Sequence, residues 1–220
     1  MHLSINTQPL LFEPVVLRFY EAHLVNVFAQ KNNRTLGETV RHKRYARLQA
    51  DVLQHYPAYL DMPLGLFLSQ LKTGQNPFYR RFLNPYGDEI FSNFAMDDPI
   101  QLKQKGLYAF ATNTTLQYLG RCRDSFSKRI NQGYGRIHPK NCYLDGQATN
   151  CHLNALITRY QSQVRLHIYP MTDDTTIVQQ GLESSSECSG LDCWPHCVIL
   201  VEARWWMSGE FRRCGRHGSP

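Results

Sequence analysis

The chain has 220 residues and a mass of 25.5 kDa, which suits one large domain or two small ones. Its content of 42% hydrophobic and 19% charged residues excludes a disordered or collagen-like chain, because a core can be buried. No apolar run reaches the roughly 18 residues of a membrane-spanning helix, so we expect no transmembrane segment. The net charge of +6 points to a polyanionic partner.

The positive charge is concentrated in the middle of the chain. Residues 1–100 carry a net charge of +1, residues 101–170 carry +8, and residues 171–220 carry −3. A basic segment between a neutral and an acidic one is the electrostatic pattern of a protein that binds nucleic acid. The middle segment is therefore the first place to look for a functional site.

The cysteines favour a reducing compartment. The seven cysteines form an odd set, and the N-terminus shows no pattern of a secretory signal. We therefore expect free thiols and a cytoplasmic location. Four of the seven cysteines and all three tryptophans fall within the last 40 residues.

Residues 1–100 are predicted to form a mostly helical N-terminal domain. Apolar residues recur at helical spacing, in the set Val16, Tyr20, Leu24 and Phe28. A second helix is predicted from Leu36 to Tyr56 with Thr35 as its cap, and a third from Pro63 to Leu71.

The middle segment predicts a second, α+β domain over residues 101–180. Alternation from Gly106 to Thr112 predicts a strand, Asn113-Thr114 a turn, and the residues from Leu116 to Gly120 a returning strand. A helix capped by Asp124 or Ser125 follows, then one capped by Thr149 or Asn150. A third strand spans 164–168, and one more helix begins near Thr175. The fold class is thus α/β (α+β), with a helical domain preceding a small three-stranded antiparallel sheet flanked by helices.

Two tripeptides on the predicted hairpin carry the chemistry. Gly106-Leu107-Tyr108 lies on the first strand and Tyr118-Leu119-Gly120 on the second, and Arg129 lies on the helix that follows. Together with the order of elements, these residues resemble the GIY-YIG nuclease family over about residues 106–170, with Leu in place of Ile in both tripeptides.

The resemblance implies a metal-dependent phosphodiesterase acting on DNA, with Mg²⁺ or another divalent cation as cofactor. Tyr108 and Tyr118 correspond to the motif tyrosines and Arg129 to the helix arginine. Gly120 corresponds to the glycine that lets backbone or substrate approach closely. An arginine offers a planar donor fork for phosphate, and a phenol near positive charge can take a proton from water. Tyr134 and His138 are candidates for the further Tyr or His that many members place after the arginine.

Basic side chains surround this motif and are predicted to contact DNA phosphates. They are Arg121, Arg123, Lys128, Arg136 and Lys140. A second basic cluster lies in the N-terminal segment, where it forms either a further DNA contact or an ordinary solvated helix face. It contains Arg41, Lys43, Arg44 and Arg47.

The metal carboxylate implied by the resemblance is the weakest match. It belongs on a helix after the third strand, where Glu183 is the best-placed candidate and Glu187 the next, but Gly181 interrupts that helix. From residue 181 the composition changes to a Cys- and Trp-rich tail. This tail is interpreted as a terminal extension, as a small metal site, or as the product of a changed reading frame near residue 180. A changed frame accounts for the new composition and the missing helix together.

Three functions remain open from the sequence. The first is a metal-dependent DNA endonuclease, and the second is a catalytically inactive DNA-binding protein that has lost the metal glutamate. The third is a helical interaction protein in which the hairpin motifs are coincidental.

Overall fold

The protein is described by a computed structural model that covers residues 1–5, 8–30, 34–112 and 115–171. Its strands are β1 (His2–Ile5), β2 (Gln8–Leu11), β3 (Glu13–Val15), β4 (Leu17–Leu24), β5 (Phe91–Met96), β6 (Gly106–Thr112), β7 (Thr115–Cys122) and β8 (Val164–Pro170). Its α-helices are α1 (Leu36–Val40), α2 (Ala46–His55), α3 (Leu64–Thr73) and α4 (Ala148–Arg159). A π-helix spans Ser127–Tyr134. Short 3₁₀ helices span Val27–Ala29, Lys43–Tyr45, Pro57–Tyr59, Pro77–Phe82, Gln101–Lys103 and Pro139–Cys142.

The chain divides into two compact units that both draw on residues before and after position 100. The hairpin unit contains Met1–Arg18, Met96–Arg129 and, at its C-terminal side, the described residues 162–171. The helical unit contains Phe19–Ala95 and Ile130–Gln161. The chain therefore passes between the units four times, namely within β4, within β5, within the π-helix and after α4.

The hairpin unit is built on an antiparallel sheet with strand order β3-β8-β6-β7. Strand β6 pairs with β7 on one side and with β8 on the other. It is therefore an inner strand of the sheet, and β7 is an edge strand. A separate β1-β2 pair supplies Leu3 and Leu10, which pack with Phe12 against Leu107 and Ala109 on one face of the sheet. Burying this apolar face stabilises the unit because apolar surface is removed from water.

The helical unit has a large apolar core made from its short helices. The core includes Phe28, Leu36, Val52, Phe67, Phe82 and Phe91. Thr35 caps α1 through a capping box in which its hydroxyl accepts from the Glu38 amide and the Glu38 carboxylate accepts from the Thr35 amide. The predicted cap at Thr35 is confirmed. The predicted long helix is instead α1, a 3₁₀ turn and α2.

The prediction of a helical N-terminal domain with a three-stranded sheet is wrong. The described residues form eight strands in three sheets, and four of those strands lie before residue 25. The helix predicted from the spacing of Val16, Tyr20, Leu24 and Phe28 does not form. Val16 lies beside strand β4 and is 79% exposed, and Tyr20 lies on that strand and is 62% exposed. Val and Tyr favour strands, and four spaced apolar residues fit a strand's period of two as well as a helix's.

The elements predicted around the motif agree better with the structure. Strand β6 has the predicted bounds, β7 and β8 extend the predicted strands by a few residues, and β3 adds a fourth strand to the sheet through its pairing with β8. Helix α4 begins earlier than predicted, with Gln147 rather than Thr149 or Asn150 as its N-cap. The predicted turn at Asn113-Thr114 and the helix near Thr175 lie outside the described residues. Within the described ranges, no helix has the length and apolar character needed to cross a membrane.

Candidate active site

Strand β6 positions the first motif tyrosine on one face of the sheet. Side chains alternate along a strand, so Tyr108 and Phe110 share the face opposite Leu107 and Ala109. Tyr108 pairs with Gly120 on β7 and with Ile168 on β8. The first motif tyrosine is thus held between two neighbouring strands.

Gly106 is required by the backbone at the start of this strand. Its φ is +148°, and a Cβ on it would lie 2.1 Å from the carbonyl oxygen of Tyr169. A side chain would therefore clash with the neighbouring strand β8 and strain the backbone. The first glycine of the motif thus allows β6 to lie close to β8 at this end of the sheet.

Gly120 makes room for the ring of Tyr108. A Cβ on Gly120 would lie 2.3 Å from both Cζ and Oη of Tyr108, so the ring occupies the space where a side chain would stand. The ring of Tyr118 lies beside it, with centroids 6.0 Å apart and planes inclined by 25°. The ring of Phe110 meets Tyr108 edge-on at 6.1 Å. The two tripeptides therefore form one aromatic cluster on one face of the sheet.

Both motif tyrosines are buried. Tyr108 is 1% exposed and Tyr118 is 5% exposed. Little of either side chain is therefore accessible to a substrate phosphate in this conformation. The rings of the cluster pack on one face of the sheet, and its two phenol hydroxyls are the groups available for chemistry.

Arg129 lies on the π-helix that follows the hairpin. Its backbone amide donates to the carbonyl of Ser125 at 3.1 Å, and the hydroxyl of Ser125 accepts from the amide of Lys128. Ser125 thus acts as the predicted cap. Burial raises the pKa of the Cys122 thiol, and the nearby charges of Arg129 and Lys128 oppose that rise. The charge of Arg129 therefore acts close to the end of β7, two residues beyond Gly120.

The predicted DNA-contacting residues fall in both units. Arg123 and Lys128 are exposed and Arg121 is half-buried in the hairpin unit. Lys128 donates to the carboxylate of Asp124 at 2.6 Å, and this bond lowers the pKa of that carboxyl. Arg136 and Lys140 are exposed in the helical unit. The positive charge of residues 101–170 thus divides between the two units.

The two supporting residues have structural roles in the helical unit. Tyr134 is buried, and its carbonyl accepts from the side-chain amide of Asn154 at 2.6 Å. His138 caps the 3₁₀ helix Pro139–Cys142, because its Nδ1 accepts from the amide of Lys140 at 3.2 Å. The His138 side chain thus caps a helix, and the Tyr134 side chain belongs to the buried part of the helical unit.

The described residues contain no cluster of three or more metal-ligating side chains. Within them, no three His, Cys, Asp or Glu side chains come together in a way that could hold a metal ion. The acidic side chain nearest to Arg129 in sequence, Asp124, is already paired with Lys128. The candidates Glu183 and Glu187 lie outside the described residues, as does the whole Cys- and Trp-rich tail.

A second polar centre, which no local sequence pattern predicts, lies in the helical unit. The Asp145 carboxylate accepts from Nη1 of Arg34 at 2.7 Å and from the hydroxyl of Tyr45 at 2.5 Å. Burial raises the pKa of Asp145, but these two bonds outweigh it and hold the pKa below its usual range. Burial and the bond to Asp145 raise the pKa of Tyr45. The partners stand about a hundred residues apart, so no local pattern joins them.

Comparison of the chain with models of protein families, with curated proteins and with solved structures finds no match. The interpretation of the site therefore depends on the two tripeptides, Arg129 and the geometry described above.

Proposed function

We propose that this protein is a metal-dependent DNA endonuclease that hydrolyses phosphodiester bonds at the hairpin unit. The observation that carries the proposal is the packing of Tyr108 beside Tyr118 in the space left by Gly120. This places two phenols, from two motifs on adjacent strands, in one cluster. The net charge of +8 over residues 101–170 supports a polyanionic substrate.

In the proposed reaction, the guanidinium of Arg129 binds a non-bridging oxygen of the substrate phosphate. The phenolate form of Tyr108 accepts a proton from the attacking water. The water oxygen bonds to phosphorus as the bond from phosphorus to the leaving oxygen breaks, and the leaving oxygen takes a proton from solvent water. Tyr118 orients the attacking water. A divalent cation, when bound, would stabilise the charge that develops on the non-bridging and leaving oxygens. Within the described residues, no group of three His, Cys, Asp or Glu side chains marks its site.

The test is a plasmid-nicking assay in Mg²⁺ and in EDTA. We expect the protein to nick supercoiled DNA only with the cation, and Arg129→Ala to slow nicking by about 100-fold or more, as removal of a phosphate-stabilising donor does. Tyr108→Phe should slow it by a similar factor, because it removes only the hydroxyl. Gln132→Ala, an exposed change on the same π-helix, is the control for Arg129.

Tyr169→Phe is the matched control for Tyr108, since Tyr169 packs with Phe12 on the opposite face of the same sheet. Both control variants should cut at the rate of the unmodified protein. A folded protein that never cuts DNA in any divalent cation would contradict the endonuclease proposal.

A second candidate function is a DNA-binding protein without catalytic activity. Two observations favour it, namely the burial of both tyrosines and the lack of a three-ligand acidic, histidine or cysteine cluster in the described part of the chain. Salt-dependent binding of DNA without cleavage would identify this function. Absence of salt-dependent DNA binding would instead favour a protein-interaction role.

The three described cysteines are unbridged, which supports the proposed cytoplasmic location.

A further inference from the structure

The helical unit contains a cleft with an unusual set of side chains. The cleft encloses about 310 Å³ and is lined by Arg34, Lys140, Asn141, Tyr143, Asp145, Gly146 and Gln147. Two cations and two side-chain amides therefore line one opening together with a single carboxylate. These are the donor types that bind phosphate oxygens in protein–DNA complexes.

The carboxylate in this cleft is already engaged. The two oxygens of Asp145 accept from Arg34 and from Tyr45, so its negative charge is balanced within the protein. Lys140 has no acidic partner among the described residues, and its side chain is exposed. The cleft therefore presents net positive charge to solvent.

The bond from Tyr45 to Asp145 also brings a basic segment of the chain to this cleft. Tyr45 is fully buried and ends the 3₁₀ turn Lys43–Tyr45, so Lys43 and Arg44 immediately precede the residue that contacts Asp145. Arg41 and Arg47 are exposed on either side of that turn. Residues 34–47 contain five Arg or Lys residues and one acid, Glu38, whose carboxylate caps α1.

We infer that this surface of the helical unit binds the phosphate backbone of duplex DNA. We call it the basic surface and define it by Arg34, Arg41, Lys43, Arg44, Arg47 and Lys140. The inference rests on the proposed function, which supplies DNA as the partner. The nearby acids, Asp145 and Glu38, are already hydrogen-bonded within the protein. The clustered cations therefore suit the regular array of phosphates in DNA better than the mixed charges of a protein surface.

The experiment measures binding of a fluorescein-labelled 20-base-pair duplex by anisotropy over a range of salt concentrations. The duplex has an arbitrary sequence, and all proteins carry Arg129→Ala so that cleavage does not interfere. The test variant is Lys43→Gln, Arg44→Gln, Arg47→Gln and Lys140→Gln. It leaves Arg34 in place and so keeps the bond to Asp145.

The control variant removes the same amount of charge from other exposed positions. It carries Arg18→Gln, Arg80→Gln, Arg81→Gln and Arg159→Gln, and three of these arginines already face acids, namely Asp97, Asp51 and Glu89. We expect the test variant to bind at least about tenfold more weakly at low salt. Its slope of log affinity against log salt should fall by about 2 to 4, since each lost phosphate contact lowers the slope by about 1. The control variant should lose much less of both.

Equal losses in the two variants would overturn the inference, because the effect would then follow net charge alone. A third variant, with Arg121→Gln, Arg123→Gln and Lys128→Gln, separates this result from failure of the proposed function. If only this third variant loses binding, the basic surface is not a DNA contact and DNA binding by the hairpin unit still stands. Displacement of the duplex by polyglutamate of equal charge would also overturn the inference, in favour of an acidic protein partner.

Discussion

Asp145 joins parts of the helical unit that lie far apart in the chain. Its carboxylate holds Arg34, which precedes α1, and Tyr45, which precedes α2. Because Tyr45 is fully buried and packs near Phe82, this carboxylate fixes the surface turn to the core. Hydrogen bonds to a charged group contribute more to stability than those between neutral groups.

The change Asp145→Asn should destabilise the folded protein by about 1.5–3 kcal/mol at pH 7. The pKa of Asp145 is lowered on folding, so its contribution is complete above its unfolded pKa of about 3.9 and is lost as pH falls through the lower folded pKa. The difference between the two proteins should therefore shrink below about pH 4. Urea unfolding followed by circular dichroism at pH 7 and pH 3 measures it.

Asp61→Asn is the control for this change, since Asp61 is exposed in the same unit. It should alter stability little at either pH. A loss for Asp145→Asn that is equal at pH 7 and pH 3 would show that the charge of the carboxylate is not what stabilises the fold.

At the scale of elements, Asn154 connects helix α4 to β5 and to the end of the π-helix. Its side-chain oxygen accepts from the amide of Ser92 and from the hydroxyl of Thr158, and its nitrogen donates to the carbonyls of Ser92 and Tyr134. Asn154 is fully buried, so these bonds form away from water. One side chain thus satisfies backbone groups on two elements that α4 packs against.

Asn154→Ala should cost about 2–4 kcal/mol of stability, because it leaves buried backbone groups without partners. Thr149→Ala, an exposed change on the same helix, should cost well under 1 kcal/mol. Chemical denaturation of the two variants in parallel measures the difference. Similar small losses in both would mean that water or neighbouring groups replace the bonds of Asn154.

Elements that depend on residues close together in the chain can be predicted from the sequence, and elements that depend on distant residues cannot. The alternation of strand β6 is a local pattern and predicts its observed bounds. The cap at Thr35 is likewise predictable, because a capping box joins residues only three positions apart. The residues of strand β4 carry a spacing that also predicts a helix, and no local pattern indicates β3, because its partner Ile168 lies about 150 residues later. The aromatic cluster of Tyr108 and Tyr118 could be foreseen from the hairpin, whereas the bonds of Asp145 could not.

At the scale of the whole molecule, each unit contains a buried cysteine whose reactivity can be used to follow the unfolding of that unit. Cys122 belongs to the hairpin unit, and Cys142 and Cys151 belong to the helical unit, and all three are buried. A hydrogen bond with Cys151, together with burial, raises the pKa of Cys142. A thiol with a raised pKa stays protonated at neutral pH and reacts slowly with alkylating reagents.

We expect these three cysteines to resist alkylation in the native protein and to become reactive at the same urea concentration. Neither unit is a continuous stretch of chain, so unfolding one unit loosens the loops that the other closes. Alkylation at increasing urea, followed by peptide mass spectrometry, measures each midpoint. A lower midpoint for Cys122 than for the other two would show that the hairpin unit unfolds independently.

The pairing of β3 with β8 bears on how the protein forms during synthesis. Ile168 leaves the ribosome about 150 residues after Glu13, the residue with which it pairs. At roughly 5–20 residues per second, the N-terminal strands wait about 8–30 seconds before their sheet can be completed. The apolar side chains of Leu3, Leu10 and Phe12 lack their final packing throughout that interval. During synthesis these side chains therefore stay in contact with water longer than those of a strand whose partner is close in the chain.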